Sequence, residues 1–254
     1  VNVLTDAQQV EMDVEKRRDL ILSTQQMLFE DAAASPIIHP SMTNAYREDR
    51  LEGLVPQLGE GIGSLWTDLN VRVKSGDGYV KTGMTSALKN LNPVSVADSN
   101  EFKELRMIYD RLIQVGPDGS IVPWAATAIK ALDSTTIDIK LRDGMKFHDG
   151  KPVTVEDVKF TFEYFTKWKA PFFISSLEKF KSINITGRNT IQIKLVAPHA
   201  PLMINFFAQI FIIPKHIWQD IPEKAGVDDV LNFPNENPIG SGAFRFDYWD
   251  RGKE

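Results

Sequence analysis

His148 beside Asp149 is the first pair in this sequence able to move a proton or hold a metal ion, since imidazole and carboxylate groups serve both chemistries. The pair stands between Gly144 and Gly150, in a stretch that reads as turns, and His39, His199 and His216 show no ligand spacing around it. Both residues therefore read as turn residues, and no metal motif results. Ser241 sits in Gly240-Ser241-Gly242, which lacks the full Gly-x-Ser-x-Gly pattern of a nucleophile elbow and precedes a strand instead of following one. The two glycines suit close backbone approach to a ligand or another loop. Glu156-Asp157 falls in a first helical turn, where acids complement the macrodipole. Trp124, Trp168, Phe172 and Phe173 are candidates for a pocket lining or for core, and core is the commoner fate of large aromatics. Phe172-Phe173, after Pro171 and outside any periodic run, is the pair expected at an exposed or cleft position.

The stretch Leu141 to Phe165 must position much of this. Ile137, Ile139 and Leu141 alternate with Thr136, Asp138 and Lys140, the period of a half-buried strand. Asp143-Gly144 reads as a hairpin turn into a short returning strand, Met145 to Phe147, and Asp149-Gly150 as a second reversal. Thr154 and Asp157 form a capping pattern, and Val155, Val158, Phe162 and Phe165 recur at helical spacing.

Elsewhere, Asp13 to Asp31 predicts an amphipathic, half-buried helix through Val14, Ile21 and Leu28 with Leu20 and Met27, closed by Ala32 to Ser35 and Pro36. Ile37-Ile38 and Tyr46 suggest short strands joined through a polar turn, Ser41 to Asn44, and Gly53 to Asp68 reads as a crossing segment. Val71 to Lys74 and Tyr79 to Thr85 predict two adjacent strands, Leu91-Asn92-Pro93 a bend, and Glu101 to Val115 a helix burying Leu105, Ile108, Tyr109, Leu112 and Ile113. A turn follows at Gly116 to Gly119. Ile183 and Ile185 face Ile191, Ile193 and Leu195 across Gly187-Arg188-Asn189, a further hairpin. Ile210 to Ile213 reads as a buried strand, and Phe244, Phe246 and Tyr248 as another behind the loop Asn237 to Gly242. Strands and helices mix without steady alternation, so the fold class is α+β or mixed α/β.

With 254 residues and 43% hydrophobic content there is material for a packed core. A formal net charge of -5 gives no support to nucleic-acid binding. The absence of cysteine removes disulfides and thiol chemistry. The longest apolar stretch, Pro201 to Pro214, is too short for a membrane span and contains Asn205 and Gln209. The sequence opens on Val1 and a polar stretch, so a signal peptide or lipid anchor is expected to lie outside it.

The run Leu141 to Phe165, together with Leu91-Asn92-Pro93, Ile108-Tyr109-Asp110-Arg111-Leu112, Pro117-Asp118-Gly119 and Asn237-Pro238-Ile239-Gly240-Ser241-Gly242-Ala243-Phe244, resembles the family 5 extracellular solute-binding proteins that serve peptide and nickel ABC importers. The resemblance extends over residues 70–254 and follows the N-terminal, first-lobe half of that family. Residues 1–69, with Ser35-Pro36-Ile37-Ile38-His39-Pro40 and Ala45-Tyr46-Arg47, resemble the family's C-terminal end and its crossover, here placed first. A circular permutant, a piece spanning two tandem units and an assembled chain all give this order. The resemblance implies a periplasmic-binding-protein-like fold of type II, a two-lobed clamp represented mainly by its first lobe, with part of the second missing. It further implies a periplasmic or cell-surface protein without cofactor or enzymatic step, binding a peptide or other small solute and delivering it to ABC permease subunits. The membrane would be reached only through the permease or an absent lipid anchor. Ligand contacts are implied at Asn92, Pro93 and Val94, at Tyr109, and at Gly242, Ala243 and Phe244, with Phe172 and Phe173 added on the aromatic argument. Two rivals stand beside this: a hydrolase using His148, Asp149 or Ser241, and a non-transport sensing or interaction domain of the same fold.

Overall fold

A computed structural model describes residues 2–32, 37–38, 43–84, 87–224, 226 and 229–250. The expected helix stop at Ser35-Pro36, the start of the polar turn at Ser41, the strand end Thr85 and residues 251–254 lie outside these.

The core is organised by a four-stranded antiparallel sheet in the order β5-β6-β8-β7, built from β5 (Ala126–Ala131), β6 (Thr136–Leu141), β7 (Phe180–Gly187) and β8 (Thr190–Leu195). Its register brings the isoleucines together: Ile137 opposite Ile193, Ile139 opposite Ile191, and Ile183 and Ile185 opposite the same two residues from the other side. The expected hairpin at Gly187 to Asn189 is therefore present. Helix α5 (Val155–Lys167) covers this face, and Val155, Val158, Phe162 and Phe165 are all buried. The helix starts where its capping box predicts, at Thr154. Asp157 Oδ2 accepts from the Thr154 N–H at 2.9 Å and its hydroxyl at 2.7 Å, while Oδ1 accepts from the Lys215 N–H at 3.0 Å. One carboxylate thus fixes both the start of α5 and the start of α7 (Lys215–Trp218).

Met145 to Phe147 does not return along β6, whose two edges are already taken by β5 and β8. It forms a small reversal of its own, closed by an isolated bridge between Lys146 and Pro152 around Asp149-Gly150. The expected helix from Glu101 to Val115 divides into α4 (Ser99–Ile108) and β3 (Ile113–Val115), which pairs with β4 (Ile121–Pro123) across the expected turn. Leu105, Ile108, Tyr109, Leu112 and Ile113 are all buried, so apolar period alone did not separate the helix from the strand. Ile210 to Ile213 is fully buried, as expected, but joins no sheet. Ile212 N–H instead donates to Asp110 O at 2.9 Å and Ile213 N–H to Thr161 Oγ1 at 3.1 Å. Phe244 to Tyr248 also runs without a ladder.

The first third differs more from expectation. Helices α1 (Asn2–Val10) and α2 (Val14–Glu30) pack on each other, and α2 starts at its Asp13 cap, but none of its residues is buried. Phe29 is 82% exposed and Val14 76%, and of the expected apolar face only Leu20 and Ile21 are half-buried. Ile37, Ile38 and Tyr46 are exposed and outside any strand. The partner of β2 (Arg72–Val73) is β1 (Leu51–Glu52), not the residues after Tyr79, which form no strand. The crossing segment contains an unexpected helix, α3 (Leu65–Asn70), capped by Ser64. It is fastened to the lobe by the Trp66 indole on Val115 O at 2.8 Å and by Arg106, 6% exposed, whose guanidinium meets Glu60 at 2.6 Å.

Replacing Thr154 by Ala removes one cap and is expected to cost about 1 kcal/mol. Asp157→Ala leaves the part-buried amides of Thr154 and Lys215 without their acceptor and is expected to cost about 1 to 2 kcal/mol, read as a lower urea midpoint at unchanged slope.

Candidate functional site

The C-terminal end of α4 is where distant parts of the chain meet. A helix leaves its last carbonyls without intrahelical donors. Here Gly242 N–H donates to Ile108 O at 2.8 Å and Phe244 N–H to Met107 O at 3.1 Å, so the loop after Asn237 caps the helix. Contact this close requires glycine: a Cβ on Gly240 or on Gly242 would stand 2.7 Å from the Ile108 carbonyl carbon. His148 holds the same loop from the other side. Its backbone N–H donates to Gly240 O at 2.8 Å, and its Nε2 lies 2.9 Å from Gly242 O, which assigns the ring proton to Nε2 because a carbonyl only accepts. Asp149 is engaged with His216 at 2.7 Å. The two neighbours in sequence therefore face different partners and form no dyad.

Tyr109 follows directly. It is fully buried, its hydroxyl 3.0 Å from Asn235 Nδ2, and burial raises its phenol well above the ordinary range. Asn235, in the left-handed region at φ 47°, also donates to Leu91 O at 2.6 Å. Asn92 completes the joint: its amide donates to Val230 O at 2.8 Å and Phe233 O at 2.9 Å, and its Oδ1 accepts from Val94 N–H at 2.9 Å. Asn92, Pro93, Val94 and Tyr109 are all buried, so they hold the surface in shape from beneath. The expectation for Phe172-Phe173 is corrected by half. Phe172 is 49% exposed, whereas Phe173, at 1%, belongs to the core, because only its ring reaches Phe165 and Phe206.

An aromatic path connects rim and interior. Phe172 stacks at 5.8 Å on Phe102, Phe102 at 4.9 Å on Phe211, and Phe211 at 6.2 Å on Tyr109. The exposed residues of the candidate set are Phe172, Ala243 and Phe244. Beneath the loop lies Asp110, 8% exposed, which accepts from the Trp124 indole at 2.7 Å. Burial raises its carboxyl above the usual range, opposed chiefly by its hydrogen bond from the Trp124 indole. Asp110 and Asn235 were not singled out in the sequence as site residues. Asn235 lies 126 positions from Tyr109 and 144 from Leu91, and no local pattern announces such pairs. Among the described residues no group of three or more His, Asp or Glu is placed to hold a metal ion.

Among solved structures, the chain superimposes on the oligopeptide-binding protein AppA of Bacillus subtilis in complex with a nonapeptide, with a TM-score of 0.56 and 28% identity over 65% of this chain and 33% of that one. It matches NikZ of Campylobacter jejuni in complex with Ni(L-His) with a TM-score of 0.56 and 25% identity, over 66% and 32% of the two chains. The chain belongs to the bacterial extracellular solute-binding proteins of family 5, whose family 5 Middle model matches residues 120–254. Among curated relatives, AppA of B. subtilis is 32% identical over 149 residues, 58% of this chain and 27% of its own length. The probable D,D-dipeptide-binding periplasmic protein DdpA of Escherichia coli is 28% identical over 68% of this chain and 34% of its own. The chain thus spans about a third or less of these relatives. No helix among the described residues is long and apolar enough to cross a membrane.

A carboxyl raised in the folded state binds its proton more tightly there than in the unfolded chain, so Asp110 stabilises the fold at low pH. That contribution is lost as pH rises from about 3.9, its unfolded value, through the raised folded one. Asp110→Asn should flatten this part of the pH–stability profile measured by denaturant titration, and an unchanged slope would contradict the assignment.

Proposed function

We propose that this chain is part of the substrate-binding component of an ABC importer, taking a peptide or similar small solute against the rim formed by Phe172, Gly242, Ala243 and Phe244. The observation that carries the reading is the loop Gly240 to Phe244, held by backbone bonds to α4 and His148 while Ala243 and Phe244 face outward. A rigid loop with exposed side chains presents contact area at low entropic cost. Membership of family 5 and the relatives named for oligopeptides and a D,D-dipeptide support the ligand class. Ligand closes this lobe against a second one, and the closed form is delivered to a membrane permease, driven by higher affinity for the closed state. Asn92, Val94 and Tyr109 act as supports, and Phe172 and Phe244 as contacts.

In this reading residues 1–69 are the family's end segment with its crossover and residues 70–254 its first lobe. Pairing of β1 with β2 across the boundary, and the Arg50–Asp77 ion pair at 2.8 Å, support docking of the one on the other.

Titration of the chain with a pool of di- to nonapeptides, followed by amide NMR, is expected to move signals at residues 242–244 and at Phe172. The double variant Phe172→Ala/Phe244→Ala should weaken binding about tenfold, as loss of aromatic anchors does. Saturable binding that ignores this variant would place the ligand elsewhere, and absence of binding would favour a non-transport domain.

A further inference from the structure

A second surface, sharing no residue with the rim, lies where β7 runs along the outside of α5. The sheet order leaves β7 at an edge, so half of its backbone N–H and C=O groups face away from β8. At eight residues β7 is the longest strand among the described residues, and it ends the sheet without a proline. Beside it is a groove of about 380 Å³, floored by Phe162, Leu177, Phe180 and Ile183. Lys167 and Lys181, both exposed, stand on its walls. The Lys167 ammonium lies 5.2 Å from the Trp168 ring, and the acid of the lining, Glu163, has its charge shared with Lys159 at 3.7 Å.

We propose that this groove binds a short extended segment of another polypeptide, added to the β7 edge as a further strand, with apolar side chains at alternate positions and a carboxylate between Lys167 and Lys181. Each part of the surface asks for one part of that ligand. Unpaired backbone groups are satisfied by another backbone, which a fatty acid or a free anion does not supply. Alternate residues of an added strand point toward the helix side, where the half-buried Phe180 and Ile183 offer apolar surface. Two cations opposite one already-shared acid select a carboxylate over an ammonium. A second β7 is disfavoured as occupant because it would bring another Lys181 into a cationic groove. Register irregularities between Phe180 and Ser182 and between Ile185 and Gly187 bound the regular stretch, so the added strand pairs with Ser182 to Ile185.

The probe is the acetylated pentapeptide amide TVTVE, with TVTVK as its counterpart, titrated into the 15N-labelled chain. TVTVE is expected to shift the amides of Ser182 to Ile185 and of Thr166, and to bind about fivefold tighter than TVTVK, the size of two exposed ion pairs. The surface double variant K167E/K181E should reverse that preference while the core amides of Ile191 and Ile193 stay in place. Equal binding of the two peptides, or no shift along β7 at the solubility limit, overturns the proposal. Shifts confined to residues 240–244 would report the rim and overturn the groove alone. Broadening of β7 signals that grows with protein concentration in the absence of peptide would assign the edge to a second copy and equally overturn it.

Discussion

The carbonyl groups that α4 leaves open at Met107 and Ile108 govern how this lobe closes. A buried carbonyl without a donor costs on the order of 1 to 3 kcal/mol, and here the donors come from a loop more than 130 residues later in the chain. That loop can reach them only through glycines at 240 and 242. Everything attached to it inherits its position: His148 grips its far side, Asp110 lies under Ser241, and Phe244 is carried outward. The result is a surface whose exposed residues are few and whose supports are many.

Buried polar groups repeat this logic away from the rim. Arg111, 6% exposed, is lowered to about 9 chiefly by burial, yet it donates to Ala208 O at 2.7 Å and to the Gln114 side chain. It thereby ties the strand after α4 to the helical turn Met203–Phe207. Asp157 and Thr161 do the same for the buried run before α7. Such groups satisfy irregular backbone that no sheet or helix completes, which is why Ile210 to Ile213 can be fully buried without being a strand. The price is that each cross-tie is intolerant of truncation.

Local chemistry was legible wherever local energy decided the outcome. The capping box at Thr154, the alternation of Ile137, Ile139 and Leu141, and the isoleucine hairpin around Gly187 were each read correctly, because cap, period and turn are properties of adjacent residues. Reading failed where two structures share one pattern. The apolar spacing from Leu105 to Ile113 suits a helix and also a helix followed by a buried strand, and the choice fell to bonds from Ala125, Ala126 and Ile212 onto residues 110–112. The residues expected to meet ligand divided in the same way: Phe172, Ala243 and Phe244 are exposed, while Asn92, Pro93, Val94, Tyr109 and Phe173 are buried, and the partners Asp110 and Asn235 carry no local signal.

By itself the sequence determined the mixed fold class, the main helix and hairpins, the absence of any thiol chemistry and a family likeness carried by several separate motifs. Only the tertiary structure decided that Asn92 and Tyr109 are braces, that His148 serves a loop and not Asp149, and that β7 ends the sheet with a groove at its side. The physical reason is range. Caps, turns and periodicities are settled within a few residues, whereas burial and hydrogen-bond partnership are settled by which distant segments satisfy one another's backbone once the chain has closed on itself.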